Sequence, residues 1–262
     1  MTKPRILVER DGAIATVTLS NPGKLNALTV AMWRELARAM ETLSADGRLR
    51  CVVLRGAGRK TFAAGADIAE FARARDNAEQ GKVYHRQYVQ GALKAVGECR
   101  HPTVAMIHGP CVGGGLEIAC MCDLRIAGES GRFGVPINRL GFAIAYDELA
   151  ALLPLTGRAV ALEILVEGRV WEAKEALEKG LVTRMVPDSR LKEEAYAAAH
   201  RIAEGAPLAN RWHKRFVRRL VPQPAPLTEA EIAENYAYFA TEDYRIGMDA
   251  FAKKKKPRFV GR

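Results

Sequence analysis

Apolar and polar positions alternate at the start of the chain. Ile6 to Arg10 and Ala13 to Leu19 read as two strands, and Asp11-Gly12 between them is a tight-turn signal. Asn21-Pro22-Gly23 ends the second strand. Over residues 29–43 the period changes, because Met32, Trp33, Leu36, Ala39, Met40 and Leu43 recur at helical spacing. Cys51-Val52-Val53-Leu54, bounded by charge and Gly56, predicts a strand buried on both faces. Residues 67–75 and 79–96 read as helix, 103–107 as another buried strand, 116–120 as a short apolar helix and 123–127 as a strand. Several short helices follow Phe133, a strand is expected at 181–186, and helices fill the remainder. Pro207, Pro222, Pro224 and Pro226 punctuate that stretch, and Thr228 with Glu231 forms a capping-box signature for a helix over 228–240. Strands concentrate before Val186 and helices after it, which predicts an α/β core followed by a helical C-terminal section.

Composition narrows the class. The 262 residues are 48% hydrophobic and 27% charged, enough for a sizeable core and too apolar for wholesale disorder. No apolar run approaches the ~18–20 residues of a membrane span, and no secretory signal is expected at the N-terminus. The five cysteines, Cys51, Cys99, Cys111, Cys120 and Cys122, are odd in number and lie mostly in apolar segments. That suits buried thiols in a reducing compartment, so a soluble cytoplasmic protein is expected. The net charge of +10 favours anionic partners. The densest basic run, Lys253 to Lys256 with Arg258, reads most plainly as a solvated tail.

Several chemistries fail on their spacing. After the last glycine of Gly113-Gly114-Gly115 stand Leu116 and Glu117, where a P-loop needs Lys and Ser or Thr, and no G-x-G-x-x-G is present. Gly128-Glu129-Ser130-Gly131-Arg132 misses the serine-hydrolase elbow at its final position. Neither the five histidines nor Cys120-Met121-Cys122 has metal-ligand spacing, so no metal is expected. His108 reads as a core or turn residue.

Two segments survive. Each follows a buried strand and exposes backbone beside a helix start: Thr61-Phe62-Ala63-Ala64-Gly65-Ala66-Asp67-Ile68, and Val112-Gly113-Gly114-Gly115-Leu116-Glu117. Small residues leave the main chain open to a ligand, and Asp67 suits the first turn of the helix after it. If the amides of Ala66 and Gly114 converge, they form a two-donor site for a developing oxyanion. Glu117 lies about one turn beyond Gly114 among apolar neighbours, which raises a carboxyl pKa toward that of a useful acid or base.

At these residues the chain resembles the enoyl-CoA hydratase/isomerase (crotonase) family. The match continues through Asn21-Pro22, Leu25-Asn26-Ala27-Leu28, Cys122 to Ala127, Phe133-Gly134, Ala173, Gly180-Leu181-Val182, and Phe239 to Asp243. The resemblance implies an α/β, crotonase-like spiral of ββα units over residues 1–200 and a helical C-terminal trimerisation region over 201–262. It implies homotrimers or hexamers built as dimers of trimers. It also implies an acyl-CoA substrate, with coenzyme A entering as the thioester and no separate cofactor. The thioester oxygen would accept from Ala66 and Gly114, with Glu117 as acid/base. Ala64, Ala66, Asp67, Ile68, Ala69, Gly113, Gly114 and Ile137 would line the ligand path. Lys24 and the basic C-terminal segment would neighbour the CoA phosphates.

The chain departs from the family pattern at one catalytic position. Family hydratases use a second glutamate after the proline of Phe133-Gly134-Val135-Pro136, and here that residue is Ile137. A Gly-rich stretch is replaced by Phe142 to Glu148. Three enzyme readings follow. The first is hydration, dehydration or isomerisation with Glu117 alone. The second has Asp147, Glu148 or Tyr146 supplying the missing acid, although these residues read equally as a solvated helix start. The third is another enolate reaction, such as decarboxylation, C–C cleavage or thioester hydrolysis. A catalytically silent CoA-binding protein and an RNA-binding homologue are the non-enzyme alternatives. Low aromatic content and the absence of an RNP1 pattern argue against nucleic acid as the principal partner.

Overall fold

The computed structural model describes residues 3–221 and 226–262; Pro222 and Pro224 lie outside the described residues. Strands β1 (Arg5–Asp11) and β2 (Ile14–Ser20) pair antiparallel with Asp11 opposite Ile14. The turn is therefore Gly12-Ala13, and Gly12 takes the positive φ of 55° that a primed hairpin turn requires at its first central position. β3 (Cys51–Gly56), β4 (Thr103–Ile107), β6 (Leu124–Gly128) and β9 (Arg184–Val186) extend this sheet in parallel, in the order β1-β2-β3-β4-β6-β9. A second sheet holds three short strands, β5 (Pro110–Val112), β7 (Arg132–Gly134) and β8 (Val170–Glu172).

Both faces of the large sheet are covered, which is why its central strands are continuously apolar. On one side lies α1 (Val30–Ala45), whose Met32, Trp33, Leu36, Met40 and Leu43 are all buried. Each contributes about 1.5–3 kcal/mol of burial. Its N-cap is Thr29, whose side chain accepts from the Met32 N–H. The short α2 (Phe71–Ala74) and α3 (Ala78–Val83) follow, then a π-helical turn over Tyr84–Val89 and α4 (Gln90–Glu98), which packs beside α1. After β5 comes α5 (Gly114–Met121), whose last carbonyls at Ala119 and Cys122 accept from the buried Arg125 guanidinium.

The next helix, α6 (Tyr146–Val166), is by length and composition long and apolar enough to cross a membrane, against the expectation that no apolar run approaches that length. Gly157, at φ 72° and ψ 171°, breaks its helical ladder into two arms. α7 (Ala173–Glu178) links β8 to β9, and α8 (Leu191–Glu204) covers the other sheet face with Leu191, Ala195, Ala198 and Ala199. α9 (Pro207–Leu220) leaves Leu208, Trp212, Phe216 and Leu220 exposed at four-residue intervals. The helix expected over 228–240 forms as α10 (Glu229–Asn235) and a 3₁₀ turn, with the Thr228–Glu231 capping box in place. α11 (Glu242–Ala252) precedes a terminal segment tied back by Asp243, which accepts from the Val260 N–H at 2.7 Å. All five cysteines are free and buried.

Candidate active site

The first loop of the site is set by asparagines. Leu25 and Asn26 both adopt positive φ, 49° and 53°. The Asn26 amide donates to Ala57 O at 3.1 Å and Thr61 O at 3.0 Å, and its oxygen accepts from the Asn21 N–H. These contacts hold the left-handed turn against the segment that follows β3. Leu28 and Ala66 then form a single parallel bridge: the Leu28 N–H donates to Gly65 O and the Asp67 N–H to Leu28 O, both at 2.8 Å. Because the neighbours of Ala66 face Leu28, its own N–H points the opposite way. It has no acceptor among the described residues.

The second loop begins where β5 ends. Gly113, at φ 51°, turns the chain into α5, and Gly114 is that helix's first residue. Its N–H has no partner one turn back and no other acceptor among the described residues. The two loops touch through their main chains. A Cβ on Gly115 would lie 2.4 Å from Ala63 O, and one on Gly65 would lie 3.2 Å from Val112 O and 3.9 Å from Gly114 N. Only glycine permits that approach. Ala66 and Gly114 thus open into one cavity of about 900 Å³.

Glu117 stands in the wall of this cavity with 8% of its surface exposed. Burial pushes its pKa well above the ordinary carboxyl value; the charge of Glu148 adds to the shift and Arg75 opposes it. Glu148, 5% exposed, lines the same cavity and accepts from His85 Nδ1. Arg75 Nη1 lies 2.9 Å from the other ring nitrogen, Nε2. A guanidinium has only hydrogens to offer, so Nε2 accepts and Nδ1 carries the proton given to Glu148. His85 and Tyr84 are brought inward by the π-helical turn, a local widening that re-aims side chains. Trp33 closes the floor beneath Gly114 and donates to the Tyr84 hydroxyl at 3.1 Å.

Ala64, Ala66, Ile68, Gly113, Gly114, Glu117 and Ile137 all line the cavity. Asp67 caps the turn after the first loop, accepting from the Ala69 N–H and pairing with Lys24 Nζ at 2.7 Å; these three stand beside the cavity and outside its wall. Of the three residues offered as a second acid, Glu148 faces the cavity, whereas Tyr146 and Asp147 line a separate surface depression with Arg86. The C-terminal segment is more than a solvated tail. Phe251, Lys255, Lys256, Pro257 and Phe259 complete the cavity's rim. Arg75 and His85 carried no motif in the sequence. Among the described residues no group of three His, Cys, Asp or Glu side chains is arranged to hold a metal ion.

The profile of the Enoyl-CoA hydratase/isomerase family matches residues 9–262. A crystal structure of an enoyl-CoA hydratase/carnithine racemase from Magnetospirillum magneticum is 53% identical, covers 98% of this chain and 96% of its own, and superposes with a TM-score of 0.82. A Rhizobium meliloti protein named "Probable enoyl-CoA hydratase" is 36% identical over the whole of both chains. Methylmalonyl-CoA decarboxylase, solved with 2S-carboxypropyl-CoA, is 27% identical with complete coverage of both chains and a TM-score of 0.89. The fold is that of a crotonase-like α/β protein. The chain belongs to the enoyl-CoA hydratase/isomerase family.

The raised pKa of Glu117 has a consequence for stability. Its folded value lies above that of the unfolded chain, so the stability fully present below the unfolded value is lost as the pH climbs from there through the folded value. Glu117→Gln is therefore expected to melt above the parent at pH 8. The two should converge below pH ~4, where the carboxyl is neutral in both states. Thermal melts at the two pH values check this.

Proposed function

We propose that the cavity binds an acyl-CoA thioester and that Glu117 moves a proton to and from its α- or γ-carbon, in hydration/dehydration or double-bond isomerisation of an enoyl-CoA. The observation that carries this reading is the pair of acceptorless N–H groups, at Ala66 and Gly114, opening into the cavity that holds Glu117. A thioester oxygen seated on both donors gains their hydrogen bonds as it takes on enolate charge, in a site walled largely by apolar groups. Loss of one such donor typically costs ~10²–10³ in rate. Glu117, raised by burial, is a stronger base once ionised than an exposed carboxylate.

Ile137 lines the cavity and stands where the family pattern implies a second carboxyl, so the reaction we favour needs one proton carrier. Glu148 is engaged with His85 and acts through its charge on Glu117. Lys255 and Lys256 at the rim, with Lys24 nearby, supply positive charge for the CoA phosphates. Coenzyme A enters as part of the substrate. We further propose a trimer, alone or paired into a hexamer. The exposed stripe of Leu208, Trp212, Phe216 and Leu220 supports it, since a contiguous apolar face on a helix marks an interface.

Glu117→Gln is expected to lower kcat by on the order of 10²–10⁴ while leaving thioester binding intact; turnover of a panel of 2-enoyl- and 3-hydroxyacyl-CoA esters reads this, and undiminished turnover refutes the role. In the parent, kcat/KM should rise with pH through a value above the ordinary carboxyl range as Glu117 becomes a base. Glu148→Gln keeps an oxygen for His85 but removes the charge, so it should move that limb to lower pH. Sedimentation should give a trimer or hexamer, and Trp212→Glu with Phe216→Glu should dissociate it.

A further inference from the structure

Arg75 is 2% exposed, yet no carboxylate of the described residues pairs with it directly. Its charge lies in a box of rings: Phe71 covers one approach at 3.7 Å from the guanidinium carbon, Phe142 another at 4.5 Å, and Tyr84 stands at 5.5 Å. Nη1 is taken by His85. Nε and Nη2 are buried and have no partner. Those two nitrogens form one edge of the guanidinium plane, and their parallel N–H bonds are spaced to meet both oxygens of a carboxylate. A second orphan lies close by. Tyr238, packed on Phe142 with ring centroids 5.6 Å apart, has a buried hydroxyl without a partner.

Buried guanidinium N–H groups are seldom left unsatisfied, since each costs free energy unless something accepts from it. Arg75 stands in the cavity wall with Phe71, Phe142, His85 and Glu148, in the same cavity as Glu117 and the acceptorless amides. The acyl part of a thioester held by Ala66 and Gly114 has this wall within the same enclosure. We infer that the acyl group carries a second carboxylate, and that it seats on the Nε–Nη2 edge of Arg75. This rests on the proposed function for the placement of the thioester, and it narrows the substrate class from enoyl-CoA to carboxyacyl-CoA. His85 and Glu148 are positioning residues here. They fix the guanidinium plane from the Nη1 side; the Nε–Nη2 edge is itself buried, so seating the ligand there requires the Phe71 and Phe142 rings to shift.

The test is binding of freshly prepared saturated thioesters, which lack the double bond of the proposed reaction, so that it stands apart from turnover. Succinyl-, glutaryl- and adipoyl-CoA are compared by calorimetry with 4-methylpentanoyl-, 5-methylhexanoyl- and 6-methylheptanoyl-CoA, in which an isopropyl group replaces the carboxylate with nearly the same shape. At one chain length or more, the full-length parent is expected to bind the carboxylate form at least ~10²-fold more tightly, the scale of a buried charge-assisted pair. Arg75→Met should abolish that preference, and Arg75→Lys, which keeps the charge but loses the fork, should reduce it. The parent comparison does not depend on either variant folding. Equal or weaker binding of every carboxylate form, or a preference that survives in a folded Arg75 variant unchanged, overturns the inference. A carboxylate preference without turnover of the matching unsaturated esters would sink the proposed reaction and leave this inference standing. Turnover of uncharged enoyl esters without any carboxylate preference would do the reverse.

Discussion

The site depends on one steric constraint, the contact of two main-chain crossings with no side chain between them. Where the segment after β3 meets the start of α5, Gly115 lies so close to Ala63 O that a Cβ would stand 2.4 Å from it. Backbone atoms cannot move aside as a flexible side chain can, so any larger residue would part the loops. Their contact leaves the Ala66 and Gly114 N–H groups facing a common cavity. The energy that holds them there comes from elsewhere, from the buried face of α1 under Gly114 and from the Asn21–Asn26 hydrogen bonds. The polar geometry is thus imposed by packing, and in the proposed function its donors would need no reorganisation as charge develops.

Charge inside the cavity is arranged as unequally as the backbone. Among the described residues Glu117 forms no ion pair, and burial favours its neutral form. Glu148 receives a proton bond from His85, which is in turn held by Arg75. Two carboxyl groups in one cavity thereby take different environments, the arrangement that separates an acid/base from a fixed charge. The same chain of contacts engages only one nitrogen of Arg75 and leaves its Nε and Nη2 buried without a partner.

Much of this was legible in the sequence wherever a local rule governs. The β1–β2 hairpin, the apolar stripe of α1 and the buried strands β3, β4 and β6 follow from periodicity, and the glycine triplet with Glu117 marks the site. The three-residue strands β5, β7 and β8 are too short for any period to register. The bend at Gly157 hides inside an otherwise continuous helical pattern. Arg75, His85 and Glu148 meet only through tertiary structure, from separate stretches of chain, and the π-helical turn that aims His85 inward has no compositional signature. The residues Tyr146, Asp147 and Glu148 were adjacent candidates for one role. Their helix turns only Glu148 toward the cavity, a distinction the phase of α6 decides and the chain's composition does not.

In the proposed function the two free amides act together on a single carbonyl oxygen. The most direct measurement is the infrared band of a thioester bearing a ¹³C=O label, recorded for a CoA ester bound to the protein and for the same ester in water. Two preorganised donors should lengthen the bond and bring the bound band below its aqueous position. A bound band at or above the aqueous position would contradict the account.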